Sequence, residues 1–216
     1  IYIYFSTGPM DVLDHSCSKL GFGGKMCIDG TTKMPEETDD DFHFPGINQD
    51  LTETFFTSRF PEIKSANISL LKKDIPCLVL AVEKNRPGHI SELHQQLFAL
   101  TEISGIKMIL YVEHTVDAKD LTTALWRFCN NLDPKRDFHL CRTNSRPYTA
   151  CMGLDGTRKT KELDNFQRDW PNIIVADDAT ISSIDAKWNE LGIGAFIPSP
   201  SLKFKGQLYG NEASVQ

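Results

Sequence analysis

Short apolar runs separated by turn-forming residues predict several β-strands. The first seven residues alternate aromatic and aliphatic side chains, a pattern typical of a strand. Residues 77–83 (CLVLAVE) and 107–113 (KMILYVE) are almost continuously apolar, as in strands that are covered on both faces. We predict two further strands in 63–71 (IKSANISLL) and 136–141 (RDFHLC).

Apolar residues at helical spacing predict three helices between these strands, in 48–60, 89–104 and 118–132. In the third helix Asp120 is a candidate N-cap. The predicted apolar side of that helix consists of Leu121, Leu125, Trp126, Phe128 and Cys129. Strands and helices alternate after residue 75, which predicts an α/β fold with a mostly parallel sheet flanked by helices.

Composition excludes several classes of protein. The chain has 216 residues and a formal net charge of −6, without the basic excess that nucleic-acid binders need. No apolar run approaches the roughly 18 residues of a membrane-spanning helix. The six cysteines form no C-x-x-C pair, so a zinc ribbon is excluded, and free thiols in a reducing cytoplasm are expected. We therefore predict a cytoplasmic protein with no nucleic-acid partner and no transmembrane segment.

An acidic cluster flanked by prolines interrupts the pattern. Five acidic residues lie between Glu36 and Asp41, and Pro35 and Pro45 stand on either side. Such a cluster is most simply a solvated linker. Acid–base pairing or binding of a divalent ion is the alternative, but the glycine and the ligand spacing of a calcium loop are missing. We place a domain boundary here.

The glycine-rich residues 21–25 (GFGGK) do not form a phosphate-binding loop. Lys19 stands where the first glycine of that motif belongs, and Met26 follows Lys25 in place of serine or threonine. No G-x-G-x-x-G follows a strand, so a dinucleotide-binding fingerprint is absent as well. An independent nucleotide-binding domain is accordingly disfavoured.

The histidines do not indicate a specific metal-binding or catalytic site. His89 and His94 are five residues apart, whereas a helical metal pair is spaced by four. His15 follows Asp14 and could form a catalytic dyad with it, or both could belong to an ordinary loop. We predict no metal ligands and no catalytic residues in this chain.

An internal repeat is the strongest motif of the sequence. Residues 26–33 (MCIDGTTK) and 152–159 (MGLDGTRK) are identical at five of eight positions, at an offset of 126 residues. A repeat at this distance predicts two similar sheet-and-helix units that use the Asp-Gly-Thr turn in the same way.

Longer stretches around both copies resemble the C-terminal domain of UbiD-family decarboxylases. The first copy lies in residues 9–38, where PMDVLDHS precedes GGKMCIDGTTKMPEET. Residues 79–100 resemble the strand and PGH helix entry of that domain, and residues 110–140 its acidic loop, Leu-Trp helix and D-P-x-R-D strand. The second copy and the last helix follow in residues 151–171 and 184–193.

The resemblance implies a partial duplication. Residues 1–38 would be the tail of a first UbiD-type C-terminal unit, and residues 39–46 an acidic linker. Residues 47–193 would form a second unit, and residues 194–216 an extended C-terminal arm.

The resemblance also implies a function. Family members remove CO2 without oxidation from aromatic or unsaturated acids, using prenylated FMN with a divalent metal, and some act on precursors of ubiquinone or menaquinone. The flavin-binding domain precedes the C-terminal unit, so this chain is expected to hold no cofactor and to be inactive alone. It would contribute oligomerisation and substrate contacts, for which Pro9, Met10 and Leu13 are the candidates. A non-catalytic association module is the alternative.

Overall fold

A computed structural model shows two compact units, residues 1–170 and 171–216. The described residues are 2–37, 45–144, 148–209 and 214–215. Most of the predicted acidic linker therefore lies outside them. The predicted unit boundaries at 38 and 193 do not coincide with this division, and as statements about the repeat they stay predictions.

The first unit combines an N-terminal hairpin with a five-stranded sheet and its helices. The hairpin strands are Tyr2–Pro9 (β1) and Phe22–Asp29 (β2). The sheet strands are Ile63–Asn67 (β3), Cys77–Val82 (β4), Met108–Glu113 (β5), Phe138–Arg142 (β6) and Ala150–Gly156 (β7). The α-helices are Glu53–Arg59 (α1), His89–Phe98 (α2), Leu121–Asn131 (α3) and Lys161–Asp164 (α4).

The sheet has the order β3-β4-β5-β7-β6 and confirms the α/β class. Strands β4, β5 and β7 are parallel, while β3 and β6 pair antiparallel at the two edges. The sheet is therefore mixed, with a parallel centre. A parallel pair needs a long crossover, which α2 supplies between β4 and β5.

Alternating residues of β4 point into two separate cores. Leu78 and Leu80 belong to the core under α1 and α2, which includes Phe56 and Leu97. Val79 belongs to the opposite core under α3. Both faces of β4 are thus buried, as its continuous apolar sequence predicts, and each fully buried aliphatic side chain contributes about 1.5–3 kcal/mol.

The predicted apolar side of α3 is only partly correct, because Phe128 is buried and Leu121 packs against the core, while the other three predicted residues are exposed. Trp126 is 47% exposed and Leu125 37% exposed, and Cys129 is exposed too. The helix instead buries Arg127 with Phe128. An ion pair explains this orientation, because the Arg127 guanidinium donates from Nε to Glu113 Oε1 of β5 at 3.0 Å.

A buried histidine joins α2 to β7. His94 has no exposed surface, and its Nδ1 lies 2.9 Å from the Tyr111 hydroxyl. Its Nε2 lies 3.1 Å from the Cys151 carbonyl oxygen, so Nε2 carries the proton and Tyr111 donates to Nδ1. A Cβ at Gly153 would lie 2.7 Å from His94 Nδ1, so glycine is needed for this approach.

The N-terminal hairpin packs against the α3 side of the sheet. Ile3 and Met26 contact the core under α3, and the Phe5 and Phe138 rings lie 4.7 Å apart. Gly24 donates its backbone N–H to Asp133 Oδ2 at 3.0 Å. The contact is so close that a Cβ on Gly24 would lie 2.1 Å from Asp133 Oδ1.

The second unit is small. Its elements are Val175–Ala176 (β8), Asp178–Lys187 (α5), Ser201–Phe204 (α6) and Ser214–Val215 (β9). Strands β8 and β9 pair in parallel. The predicted C-terminal arm is thus helical over one turn rather than extended throughout. Among the described residues of both units, no helix has the length and apolar content required to cross a bilayer.

Candidate functional site

A cleft of about 560 Å³ opens at the carboxyl ends of β4 and β7. In open α/β sheets this edge is where ligands bind. The chain after β4 contributes Lys84, and the start of α2 contributes Gly88 and His89. The chain after β7 contributes Lys159, and Asp137 comes from the start of β6.

Ion pairs occupy the floor of the cleft. Lys84 Nζ donates to Asp164 Oδ1 at 2.6 Å and to Thr157 Oγ1 at 3.0 Å. Lys159 Nζ donates to the backbone oxygens of Asp155 at 2.8 Å and Thr157 at 2.7 Å. Asp137 accepts from the guanidinium group of its neighbour in sequence, Arg136. The cations of the floor are therefore already engaged with carboxylates or carbonyl oxygens.

The protonation states follow from these pairs. Burial is the largest influence on the pKa of Asp155 and raises it, but Lys159 and Lys84 outweigh burial and bring this pKa to about 2. Burial lowers the pKa of the Lys84 ammonium, and nearby Asp155 and Asp164 oppose this effect. Burial also lowers the pKa of His139, whose ring lines the cleft. Burial raises the pKa of Asp137, and the nearby cations Lys159 and Arg136 oppose this effect.

The repeated turn appears in both copies with the same local hydrogen bonds. In the second copy, Thr157 donates to Asp155 Oδ1 from its backbone N at 2.9 Å and from its hydroxyl at 2.5 Å. In the first copy, Thr31 donates to Asp29 Oδ1 in the same two ways, at 2.9 and 2.6 Å. Lysine completes both turns, Lys159 in the cleft and Lys33 against Asp29.

The substrate-contact candidates lie on a different feature, the loop between β1 and β2. Met10 and Leu13 belong to this loop, and Pro9 is the last residue of β1 before it. None of the three residues lines the cleft. Leu13 is 85% exposed at the tip. The base of the loop is closed because Met10 donates its N–H to the Gly21 carbonyl at 3.0 Å.

The histidine alternatives can now be compared with the contacts. Asp14 Oδ1 accepts from the backbone N and hydroxyl of Ser16, at 2.8 and 2.7 Å. His15 instead lies 3.3 Å from Asn131 Oδ1 and stacks edge-on against Trp170. These contacts favour the ordinary loop over a catalytic dyad.

The two helical histidines have separate surroundings. His89 Nδ1 accepts from the Asn85 N–H at 3.3 Å, and its Nε2 faces Glu62 at 3.3 Å. His94 is enclosed between Tyr111 and Cys151, as described above. They do not converge on one position, and the described residues contain no group of three or more histidine, cysteine or acidic side chains arranged to hold a metal ion.

Sequence reasoning missed the cleft. The repeat already marked Asp155 and Lys159, but only as members of a turn. Lys84 follows an apolar strand directly, and this placement at the carboxyl end of a parallel strand was the available signal.

Comparison with known proteins assigns the chain to a family. The model of the 3-octaprenyl-4-hydroxybenzoate carboxy-lyase C-terminal domain matches residues 44–158. An uncharacterized protein of Aquifex aeolicus is 30% identical over 126 residues, which are 54% of this chain and 26% of that protein. One of Aeropyrum pernix is 26% identical over 124 residues, 53% of this chain and 25% of that protein. The chain thus spans about a quarter of the length of the curated relatives it matches.

Two solved structures are similar to this chain at lower sequence identity. The vanillic acid decarboxylase of Sedimentibacter hydroxybenzoicus, in its closed form, is 14% identical with a TM-score of 0.47, covering 64% of this chain and 30% of that one. The UbiD-class enzyme HmfF of Pelotomaculum thermopropionicum, in complex with FMN, is 18% identical with a TM-score of 0.39, covering 53% and 28%. Since the family model accounts for more than half of the residues, the chain belongs to the UbiD carboxy-lyase family and carries its C-terminal domain.

Proposed function

We propose that this chain is the oligomerisation and substrate-capping part of a UbiD-type decarboxylase that acts on small aromatic or unsaturated carboxylic acids. In this proposal the flavin-binding domain and the catalytic groups lie elsewhere on the polypeptide. The enzyme is a cytoplasmic homo-oligomer, and the 216 residues are inactive without the rest.

The charge pairing in the cleft supports this division of labour. A flavin phosphate requires cationic or N–H donors that are free to bind it. Lys84 donates to Asp164, Thr157 and the Arg158 carbonyl, and Lys159 is engaged in the same way. The two buried lysines of the cleft are therefore already occupied by protein acceptors, and we assign the cofactor and its divalent metal to the flavin-binding domain.

The observation that carries the capping role is the apolar tip of the β1–β2 loop. Leu13 is 85% exposed and Val12 65%, an arrangement that costs hydration free energy unless an apolar partner covers it. Two hydrogen bonds support the loop that carries this tip. Leu13 donates its N–H to Asp11 Oδ1 at 2.9 Å, and the Arg168 guanidinium donates to the Cys17 carbonyl at 2.7 Å. A firmly supported apolar tip is suited to contact a substrate ring.

Substitution in the full-length enzyme tests the capping role. We expect Leu13→Asp or Met10→Gln to change the ratio of kcat/KM between a small and a large aromatic acid by about 10-fold, as apolar pocket contacts do. Leu20→Asp is the matched control, because Leu20 is similarly exposed on the same loop but is not a predicted contact. An unchanged ratio in both variants would refute the capping role.

The association module is the second candidate, and exposed apolar side chains favour it. Tyr4 and Phe22 of the hairpin are 58% and 43% exposed, and Trp126 of α3 is 47% exposed. If Leu13→Asp leaves the substrate ratio unchanged while Tyr4→Ser and Trp126→Ser dissociate the oligomer in sedimentation experiments, association is the function of this part.

A further inference from the structure

The N-terminal hairpin and the β6–β7 pair are two copies of one structure in the same register. Tyr4 of β1 stands opposite Cys27 of β2, and His139 of β6 stands opposite Gly153 of β7. Cys27 and Gly153 differ by the 126 residues of the sequence repeat. The correspondence therefore extends from the repeated turn to the pairing of both strands.

The two copies differ at one edge. Strand β7 is flanked by β6 on one side and by β5 on the other, whereas β2 pairs only with β1 among the described residues. The shared ladder of β5 and β7 begins where Met152 donates its N–H to the Lys107 carbonyl at 2.8 Å. The position equivalent to Met152 in the first copy is Met26.

The peptide groups of Met26 and Ile28 face this open edge. Gly24 donates its N–H away from β1, to Asp133, and strand geometry directs every second peptide group the same way. Within the described part of the chain, the N–H groups of Met26 and Ile28 have no protein acceptor. Asp133 closes the edge only at Gly24, so the open section begins where the β5 ladder begins in the other copy.

Side chains along the open edge also lack the cover that their equivalents have. Ile28 is 42% exposed, and its equivalent Leu154 is 2% exposed. A Cβ on Gly156 would lie 2.5 Å from the Phe128 ring of α3, while no atom of the described residues lies within 4 Å of a Cβ on the equivalent Gly30. In the part of the chain that the structure describes, the first copy thus lacks the counterparts of both β5 and α3.

We propose that the open edge of β2 binds the β5-like strand of a second UbiD-type C-terminal unit, in parallel and from Met26 onward. In this proposal the occupant is a unit like residues 45–137, which lacks its own β6 and β7 and therefore has a free β5 edge, elsewhere on a longer polypeptide. This unit presents an apolar strand to Met26 and Ile28. It also presents a lysine, equivalent to Lys84, to the turn that contains Asp29.

Two features of the chain favour this occupant over another copy of the same chain. The β5 strand in residues 45–158 is already paired on both sides, by β4 and β7, so a second copy has no free strand of this kind. In addition, the chain covers only 25–29% of the relatives compared, which leaves room for further units. The proposal rests on the two hairpins and on family membership, and it does not require decarboxylation.

Residue-resolved hydrogen exchange tests the proposal without reference to activity. In the 216-residue chain, we expect the Met26 and Ile28 amides to exchange within about 10-fold of an unprotected peptide. The Cys27 amide, which faces β1, and the Met152 and Leu154 amides, which face β5, should be protected. In the longer polypeptide, the Met26 and Ile28 amides should become at least 100-fold slower.

Two outcomes would overturn the proposal. Fast exchange of Met26 and Ile28 in the longer polypeptide would show that the edge stays open. Protection in the 216-residue chain that increases with protein concentration would show that another copy covers it.

A substitution gives an independent measurement. Ile28→Ala should lower the urea midpoint of the longer polypeptide and leave that of the 216-residue chain unchanged, because Ile28 is buried only in the former. Leu154→Ala is the matched control and should lower both midpoints. An equal effect of Ile28→Ala on both proteins, or no effect on either, contradicts the proposal.

Discussion

His94 should make the stability of the first unit depend on pH. Burial lowers the pKa of its imidazole to about 4, although the hydrogen bond to the Cys151 carbonyl opposes this shift. An unfolded chain has a histidine pKa near 6.5. Between these values the unfolded state binds a proton that the folded state does not, so the contribution of His94 is lost as pH falls from about 6.5 towards 4.

The magnitude follows from the two pKa values. At pH 4.5 the unfolded imidazole lies about two pH units below its pKa, while the folded imidazole is still mostly neutral. Each unit corresponds to about 1.4 kcal/mol, so His94 should remove about 2–3 kcal/mol of unfolding free energy between pH 7 and pH 4.5. His139 acts in the same direction, because burial lowers its pKa as well.

Comparison with His94→Gln isolates this contribution. Glutamine can still accept from Tyr111 and donate to the Cys151 carbonyl, but it does not titrate. The free energy of unfolding is measured in urea at 25 °C, at pH 7 and at pH 4.5. Its decrease between the two pH values should be smaller by about 2–3 kcal/mol in the variant than in the unsubstituted protein. Equal losses in His94→Gln and the unsubstituted protein would refute the reasoning.

Two further predictions concern packing inside the first unit. Arg127→Met should destabilise it by about 3–5 kcal/mol in urea unfolding, because Glu113 then stays buried without its cation, and the double variant with Glu113→Gln should recover part of this loss. Gly24→Ala should expose the hairpin to limited proteolysis, since its Cβ would overlap Asp133, whereas Gly30→Ala should not. Equal cleavage of the two glycine variants would contradict this packing.

The sequence predicts the centre of this fold well. The runs at 77–83 and 107–113 form β4 and β5, which are buried at five of six positions each, because a continuous apolar run is sufficient to indicate burial on both faces. The strand predicted for 63–71 ends earlier, at Asn67. There the side chain of Asn67 accepts hydrogen bonds from the backbone and hydroxyl of Ser69 and turns the chain.

The orientation of α3 could not be predicted from hydrophobicity. Its buried face contains Arg127 and Asn131, both hydrogen-bonded to Glu113, which is 18 residues away from Asn131. Partners this far apart in sequence become visible only once β5 and α3 are packed together. The ion-pair partner of Lys84 in the cleft could not be predicted for the same reason, since Lys84 and Asp164 are 80 residues apart in sequence.

The contact between Gly24 and Asp133 has a consequence for biosynthesis. The two residues are 109 positions apart, and the hairpin leaves the ribosome before the loop that contains Asp133. At about 5–20 residues per second, its strands wait some 5–20 s before the loop that anchors them has been made. During that interval its aromatic side chains are not packed against this loop, so we expect chaperones to bind this segment until the loop has been made.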